Sequence, residues 1–162
     1  SSGCKYLIIR TAWVFSEYGN NFLKTMLQLG SVRDELNIVG DQIGCPTYAQ
    51  DIAKAIVSIV AQLKETWSVS GIFHYCGNQP CSWYDFARVI FEEASLAGFE
   101  TPNLIRSIKS SDYPTAAARP VYSGLECHKI SNTFGVNISD WKLGVKNVIS
   151  NFHIQEVNQQ RS

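Results

Sequence analysis

The chain has 162 residues, 45% of them hydrophobic, which suits a packed core in one domain or part of a larger one and rules out a disordered segment. Fourteen basic residues balance fourteen acidic ones, and their scatter leaves no field to gather nucleic acid or an anionic membrane. No apolar run approaches the ~20 residues that cross a bilayer, and no charged-then-apolar leader opens the chain, so a soluble cytoplasmic protein without an export signal is expected.

Residues 4–10 include Tyr6-Leu7-Ile8-Ile9, a continuous apolar run of the kind that forms a strand covered on both faces of an α/β sheet. Arg10-Thr11-Ala12-Trp13-Val14-Phe15 then leaves the C-terminal end of that strand, where open α/β sheets bind ligands. The Trp13 indole there suits either a sugar ring or nicotinamide, or else core space. Gly19-Asn20-Asn21-Phe22 opens a helix, with Asn20 or Asn21 as cap and Phe22, Leu23, Met26 and Leu27 as its apolar face. Free amides at such a start can also receive phosphate.

Residues 36–39 form a short strand that feeds Asp41-Gln42-Ile43-Gly44-Cys45-Pro46-Thr47-Tyr48, the stretch around which the chain is organised. Gly40 and Gly44 permit backbone conformations barred to other residues, and Pro46 stiffens the loop between strand and helix. Such a loop can wall a small-molecule site, with Gln42 and Thr47 as neutral hydrogen-bonding groups, or simply connect two elements. Ile52, Ala55, Ile56, Ile59, Val60 and Leu63 recur at helical spacing, and Asp51 in the first turn suits the helix dipole as a structural residue.

Residues 71–76 read as a strand closed by Gly77 and Asn78. Ser82-Trp83-Tyr84-Asp85 resembles a capping box for a helix running toward Gly98 with Phe86, Ala87, Ile90, Phe91 and Ala94 inward. A strand at 104–108, a polar segment at 110–120 containing Arg119, and helices near 125–133 and 140–152 complete the pattern, with a frayed tail over 157–162. Arg119 is either solvated or a planar fork for a diphosphate. Alternating strands and helices without a repeat or linker give an α/β fold with a largely parallel sheet, one unit over 1–162. The cysteines Cys4, Cys45, Cys76, Cys81 and Cys127 are odd in number and irregular in spacing, which fits reduced thiols. Cys76 and Cys81, even with His74 and His128, lack the tight ligand spacing of a zinc site, so no metal is assigned.

Together Arg10-Thr11-Ala12-Trp13-Val14-Phe15, Gly19-Asn20-Asn21-Phe22, Asp41-Gln42-Ile43-Gly44-Cys45-Pro46-Thr47, Ser82-Trp83-Tyr84-Asp85-Phe86-Ala87, Tyr113-Pro114-Thr115 and Ala118-Arg119-Pro120 resemble the C-terminal half of the dTDP-4-dehydrorhamnose reductases. These enzymes belong to the extended short-chain dehydrogenase/reductase superfamily, and the resemblance runs over residues 4–149. It implies the last step of dTDP-L-rhamnose synthesis, for cell-surface polysaccharide: NADPH or NADH gives hydride to the C4 ketone of dTDP-4-dehydro-β-L-rhamnose. In that family an N-terminal Rossmann half holds the cofactor and a Tyr-x-x-x-Lys pair, whose lysine lowers the tyrosine pKa for proton transfer. No lysine here has a tyrosine four residues before it, and no Gly-x-Gly-x-x-Gly or Gly-x-x-Gly-x-x-Gly occurs.

The resemblance therefore implies a fragment with no catalytic residue of its own, inactive alone, with the parent's NADPH or NADH bound mostly elsewhere. Carried over by position, Trp13 walls the deoxysugar, and Thr11 and Ala12 lie near the nicotinamide. Asn21 and Arg119 approach the diphosphate or nucleotide end, and Gln42, Ile43, Pro46 and Thr47 border the substrate pocket. Tyr122 and Gly124 depart from the family pattern, which has asparagine and commonly arginine there. The family sometimes carries magnesium at a dimer contact, but no carboxylate cluster here assigns one. The implied partner is a dTDP-sugar, with a homodimer as the possible assembly. The alternative is a non-catalytic regulatory or binding protein on the same scaffold.

Overall fold

A computed structural model describes residues 3–63, 67, 69–113, 115 and 119–160, the last eight as helical backbone. Pro114 and Ala118, two positions of the quoted motifs, and residues 161 and 162 of the expected tail lie outside the described residues.

The elements follow in the order β1 (Leu7–Arg10), β2 (Val14–Phe15), α1 (Phe22–Gly30), β3 (Glu35–Val39), β4 (Ile43–Gly44), β5 (Thr47–Tyr48) and α2 (Ala49–Leu63). Next come β6 (Gly71–His74), β7 (Cys81–Ser82), α3 (Trp83–Leu96), β8 (Leu104–Ile108), a 3₁₀ turn (Ser110–Asp112), α4 (His128–Phe134) and α5 (Trp141–Gln160). The expected α/β class with parallel strands is what the chain adopts: β1 pairs with β6, β2 with β5 and β3 with β8, all parallel, while β4 and β7 are antiparallel. These are four separate two-stranded pairs among the described residues, so the strands of this chain do not form one continuous sheet.

Two apolar clusters hold the pairs. The first joins α1, α3 and α5 around Phe86, Phe15, Tyr48 and Trp141, and the edge of the Trp141 ring meets Phe86 at 5.5 Å. The second joins α2, β6 and α4 through Ile59, Phe73, Ile130 and Phe134, with Leu7 and Ile9 packed against it. The 41–48 loop touches both, since Tyr48 enters the first cluster and Cys45 the second.

The continuous apolar run at β1 misleads on burial. Leu7 and Ile9 pack inward, but Ile8 is 47% exposed and stands opposite Ile72, itself 39% exposed, so one face of the β1–β6 pair is bare. Period-two alternation sends Ile8 away from the second cluster, and the described residues offer nothing to cover it. On α2, Ala55, Ile59 and Leu63 are buried as expected, whereas Ile56 and Val60 are exposed.

Local signals fared better. Asn21 caps α1, accepting the Lys24 N–H at 3.2 Å. Ser82 and Asp85 form the reciprocal capping box of α3. Helix α4 starts later than expected, at His128, because Leu125 is held outside it with its carbonyl facing the Cys76 and Cys127 thiols. Helix α5 continues past Phe152 to Gln160.

Candidate functional site

The 41–48 loop is fastened at nearly every residue to a different part of the chain. Asp41 accepts the Ser110 N–H at 2.9 Å and the Ser110 hydroxyl at 3.0 Å, and the backbone bond holds its carboxyl below the ordinary carboxylate range. Ile43 donates its N–H to Val121 at 2.7 Å and accepts from the Ser123 N–H at 2.8 Å. Gly44 pairs with Cys81 in the β4–β7 ladder. A Cβ at Gly77 would lie 2.0 Å from the Pro46 carbonyl, so only glycine lets that turn close on the loop. Tyr48 receives the Ser139 hydroxyl oxygen on its N–H at 3.3 Å, and Ser139 in turn donates to Asp51 at 2.9 Å. Asp51 is therefore structural, as its place in the first turn of α2 suggested.

Thr47 is fully buried and reaches the far side of the site through backbone. Its hydroxyl donates toward the carbonyls of Ala12 at 2.7 Å and Cys45 at 3.1 Å, and its N–H donates to the Trp13 carbonyl at 3.1 Å. These bonds clamp the 11–13 segment just past the C-terminal end of β1. Trp13 is the one non-glycine residue of positive φ among the described residues, at 48°. A bulky side chain in that region costs about 1–3 kcal/mol and persists only where its surroundings enforce it.

The surroundings do so from two directions. The Trp13 indole stacks on Trp83 with ring centroids 3.4 Å apart and planes 8° from parallel, and Phe22 supports Trp83 at 4.6 Å. On the other contact, a Cβ at Gly44 would lie 2.3 Å from Trp13 Cε2. The indole is held in place by an aromatic ring and a bare glycine, and stays partly exposed.

The structure thus brings Trp13 and the 41–48 loop into one wall. Gln42 and Ile43 are half-buried on the loop, and the Gln42 amide has no hydrogen-bond partner among the described residues, leaving it available to a ligand. Pro46 is buried within the loop. Thr11 is exposed and Ala12 half-buried at the same strand end. Arg119 is exposed and joins the wall only by chain connection, two residues before the Val121 carbonyl that binds Ile43. Asn21 is spent locally: besides capping α1, its amide donates to the Ser16 carbonyl at 2.8 Å and the Tyr18 carbonyl at 3.3 Å.

Sequence reasoning missed Trp83, which it read only as part of a cap, and the contact role of Gly44. Neither spacing nor composition signals a stack between residues this far apart in the chain. Concavities of about 600 Å³ beside Arg88 and Pro102 and about 420 Å³ beside Asp51 and Asn137 include none of Trp13 or residues 41–48. Among the described residues no three His, Cys, Asp or Glu side chains are grouped to hold a metal ion.

Comparison with known proteins finds similarity over most of this chain. The family model described as "RmlD substrate binding domain" covers residues 1–154. A dTDP-4-dehydrorhamnose reductase of Aggregatibacter actinomycetemcomitans is 47% identical over 146 residues, 89% of this chain and 50% of the relative. The crystal structure of a dTDP-4-dehydrorhamnose reductase from Clostridium acetobutylicum superposes with a TM-score of 0.79 at 34% identity, over 91% of this chain and 49% of that one. A Bacillus anthracis dTDP-4-dehydrorhamnose reductase in complex with NADP gives 0.76 at 34% identity, with the same coverage. The chain spans about half the length of the relatives it matches.

Proposed function

Since the chain belongs to the RmlD substrate binding domain family, we propose that it forms the sugar-nucleotide wall of an NAD(P)H-dependent dTDP-4-dehydrorhamnose reductase. The observation that carries this reading is the convergence of the Trp13 indole, clamped at positive φ against Trp83, with the 41–48 loop. A rigid, partly exposed indole beside an unpartnered amide suits a 6-deoxysugar, which offers C–H surface to the uncovered part of the ring and hydroxyls to Gln42.

In this reading Trp13 and Ile43 hold the sugar, Gln42 bonds it, and Thr47 and Pro46 act beneath them by fixing the backbone. Arg119, exposed on the chain that leads to the Val121 anchor, meets the diphosphate, a task for its planar fork. Asn21 contributes by setting the start of α1. When bound, NADPH or NADH supplies the hydride to the C4 ketone. Thr11 and Ala12, at the end of β1, border its nicotinamide, while the glycine-rich loop and Tyr-x-x-x-Lys pair absent from this sequence belong to the parent reductase's other half. The bare faces of β1–β6 and α2 support that division, because parallel strands are ordinarily covered on both sides. The parent is expected in the cytoplasm, and no helix among the described residues is long and apolar enough to cross a membrane.

Titration of the chain with dTDP-4-dehydrorhamnose, followed by tryptophan fluorescence, tests the wall. Saturable quenching that disappears in Trp13→Phe is expected; an unchanged signal in that variant removes Trp13 from the site.

A further inference from the structure

Three thiols that the proposed site leaves unused converge in the second apolar cluster. Cys45 comes from the 41–48 loop, Cys76 from the turn after β6, and Cys127 from the N-cap of α4. The sulfurs of Cys76 and Cys127 lie 3.5 Å apart. Both face one acceptor, the Leu125 carbonyl, at 3.4 and 3.6 Å, and the Cys76 N–H donates to the Cys127 sulfur at 3.3 Å. The pair is therefore oriented sulfur to sulfur by backbone, and a shift of about 1.5 Å separates contact from a bond of ~2.05 Å.

Electrostatics agree with the geometry. The thiol groups of Cys127 and Cys45 hydrogen-bond to Cys76 and hold its pKa well below the ordinary thiol value, while theirs rise. Cys81, without a thiol neighbour, is pushed up to about 12 by burial. The shared hydrogen bonds thus favour the thiolate form at Cys76, whereas burial disfavours it at Cys81. Cys127 is the outermost of the three thiols, 9% exposed between the exposed Glu126 and His128.

We propose that Cys76 and Cys127 form a reversible oxidation site that closes to a disulfide on reaction with a hydroperoxide. The Cys76 thiolate, held by the Cys127 thiol at 3.5 Å, attacks the peroxide. An S–O bond forms, the O–O bond breaks, and the leaving oxygen departs with a proton as water or an alcohol. Cys127 then attacks the sulfenic sulfur of Cys76, the S–S bond forms, and the S–O oxygen leaves as water with the Cys127 proton. The two sulfurs give up two electrons in all, and the peroxide receives them. The bond closes beside Gly77, which lies against the Pro46 carbonyl, so oxidation bears on the 41–48 loop. Nothing in this inference rests on the reductase reading.

The 162-residue chain is treated with hydrogen peroxide, alkylated after unfolding, digested without reductant and mapped by mass spectrometry. The expected result is loss of two of the five thiols as a Cys76–Cys127 cross-linked peptide, restored by dithiothreitol and absent from Cys127→Ser. If Cys76 and Cys127 stay alkylatable while the exposed Cys4 oxidises, or if Cys45–Cys76 is the linked pair, the assignment is overturned. The wild-type map decides the matter even if the variant does not fold.

Discussion

At position 44 a single methyl group would collide with three indole atoms of Trp13, at 2.3 to 2.6 Å, and both the ring and the β4 backbone are held from other sides. Gly44→Ala is therefore expected to cost about 1–3 kcal/mol in urea denaturation and to break the Trp13–Trp83 stack, with loss of the near-ultraviolet circular dichroism of paired indoles. A variant of unchanged stability and spectrum would mean that the close approach is not maintained. Asp41 makes a separate prediction. Its carboxyl is held below its ordinary value of 3.8 by the Ser110 N–H, so its contribution is present above that pH and disappears as pH falls through the lower folded value. Stability measured from pH 5 down to pH 2.5 is expected to decline more in the wild type than in Asp41→Asn, which lacks the titrating group. At this scale the sequence was informative about which residues matter and less so about how. Thr47 reads as a ligand-facing hydroxyl, yet burial turns it inward onto the Ala12 carbonyl. Trp83 reads as a cap neighbour, yet the fold lays it under Trp13.

Among the elements, α3 links local chemistry to the site most directly, because its first residue is Trp83 and its cap is Ser82. The Ser82 hydroxyl lies 2.6 Å from Asp85 Oδ2 and 3.0 Å from the Asp85 N–H. Ser82→Ala is expected to lose about 1 kcal/mol by denaturation, with Ser82→Thr retaining most of it. A loss shared equally by both variants would point to packing rather than capping. Caps were legible in the sequence since they depend on residues three apart. Burial of whole faces was not, because it depends on what lies across from them. The run Tyr6-Leu7-Ile8-Ile9 promises a strand covered twice, and in this chain only the face carrying Leu7 and Ile9 is covered. Ile56 and Val60 of α2 repeat the lesson on a helix. The later start of α4 has a related reason, since the Leu125 carbonyl accepts from the Cys76 thiol of a distant turn and from the Cys127 thiol, not from the next turn of helix.

For the molecule as a whole, the alternation of strand and helix sufficed to place the chain in the α/β class, while the pairing into four separate ladders was not visible in it. Pairing partners are chosen across long loops, and no local pattern records them. The site shows the same limit: the 41–48 loop announced itself by its glycines and proline, and its anchors at Ser110, Val121, Ser139 and Trp13 emerged only from the fold. The proposed division, with the Tyr-x-x-x-Lys pair on the parent's other half, implies that the 162-residue chain does not oxidise NADPH in the presence of dTDP-4-dehydrorhamnose, as followed at 340 nm, and turnover well above background would refute that. The division of labour itself is best tested by calorimetric titration of the chain with dTDP and, separately, with NADPH. Heat of binding is expected for dTDP, weakened at least tenfold in Arg119→Ala, with little or none for NADPH; tighter binding of NADPH than of dTDP would contradict the assignment of this surface to the sugar nucleotide.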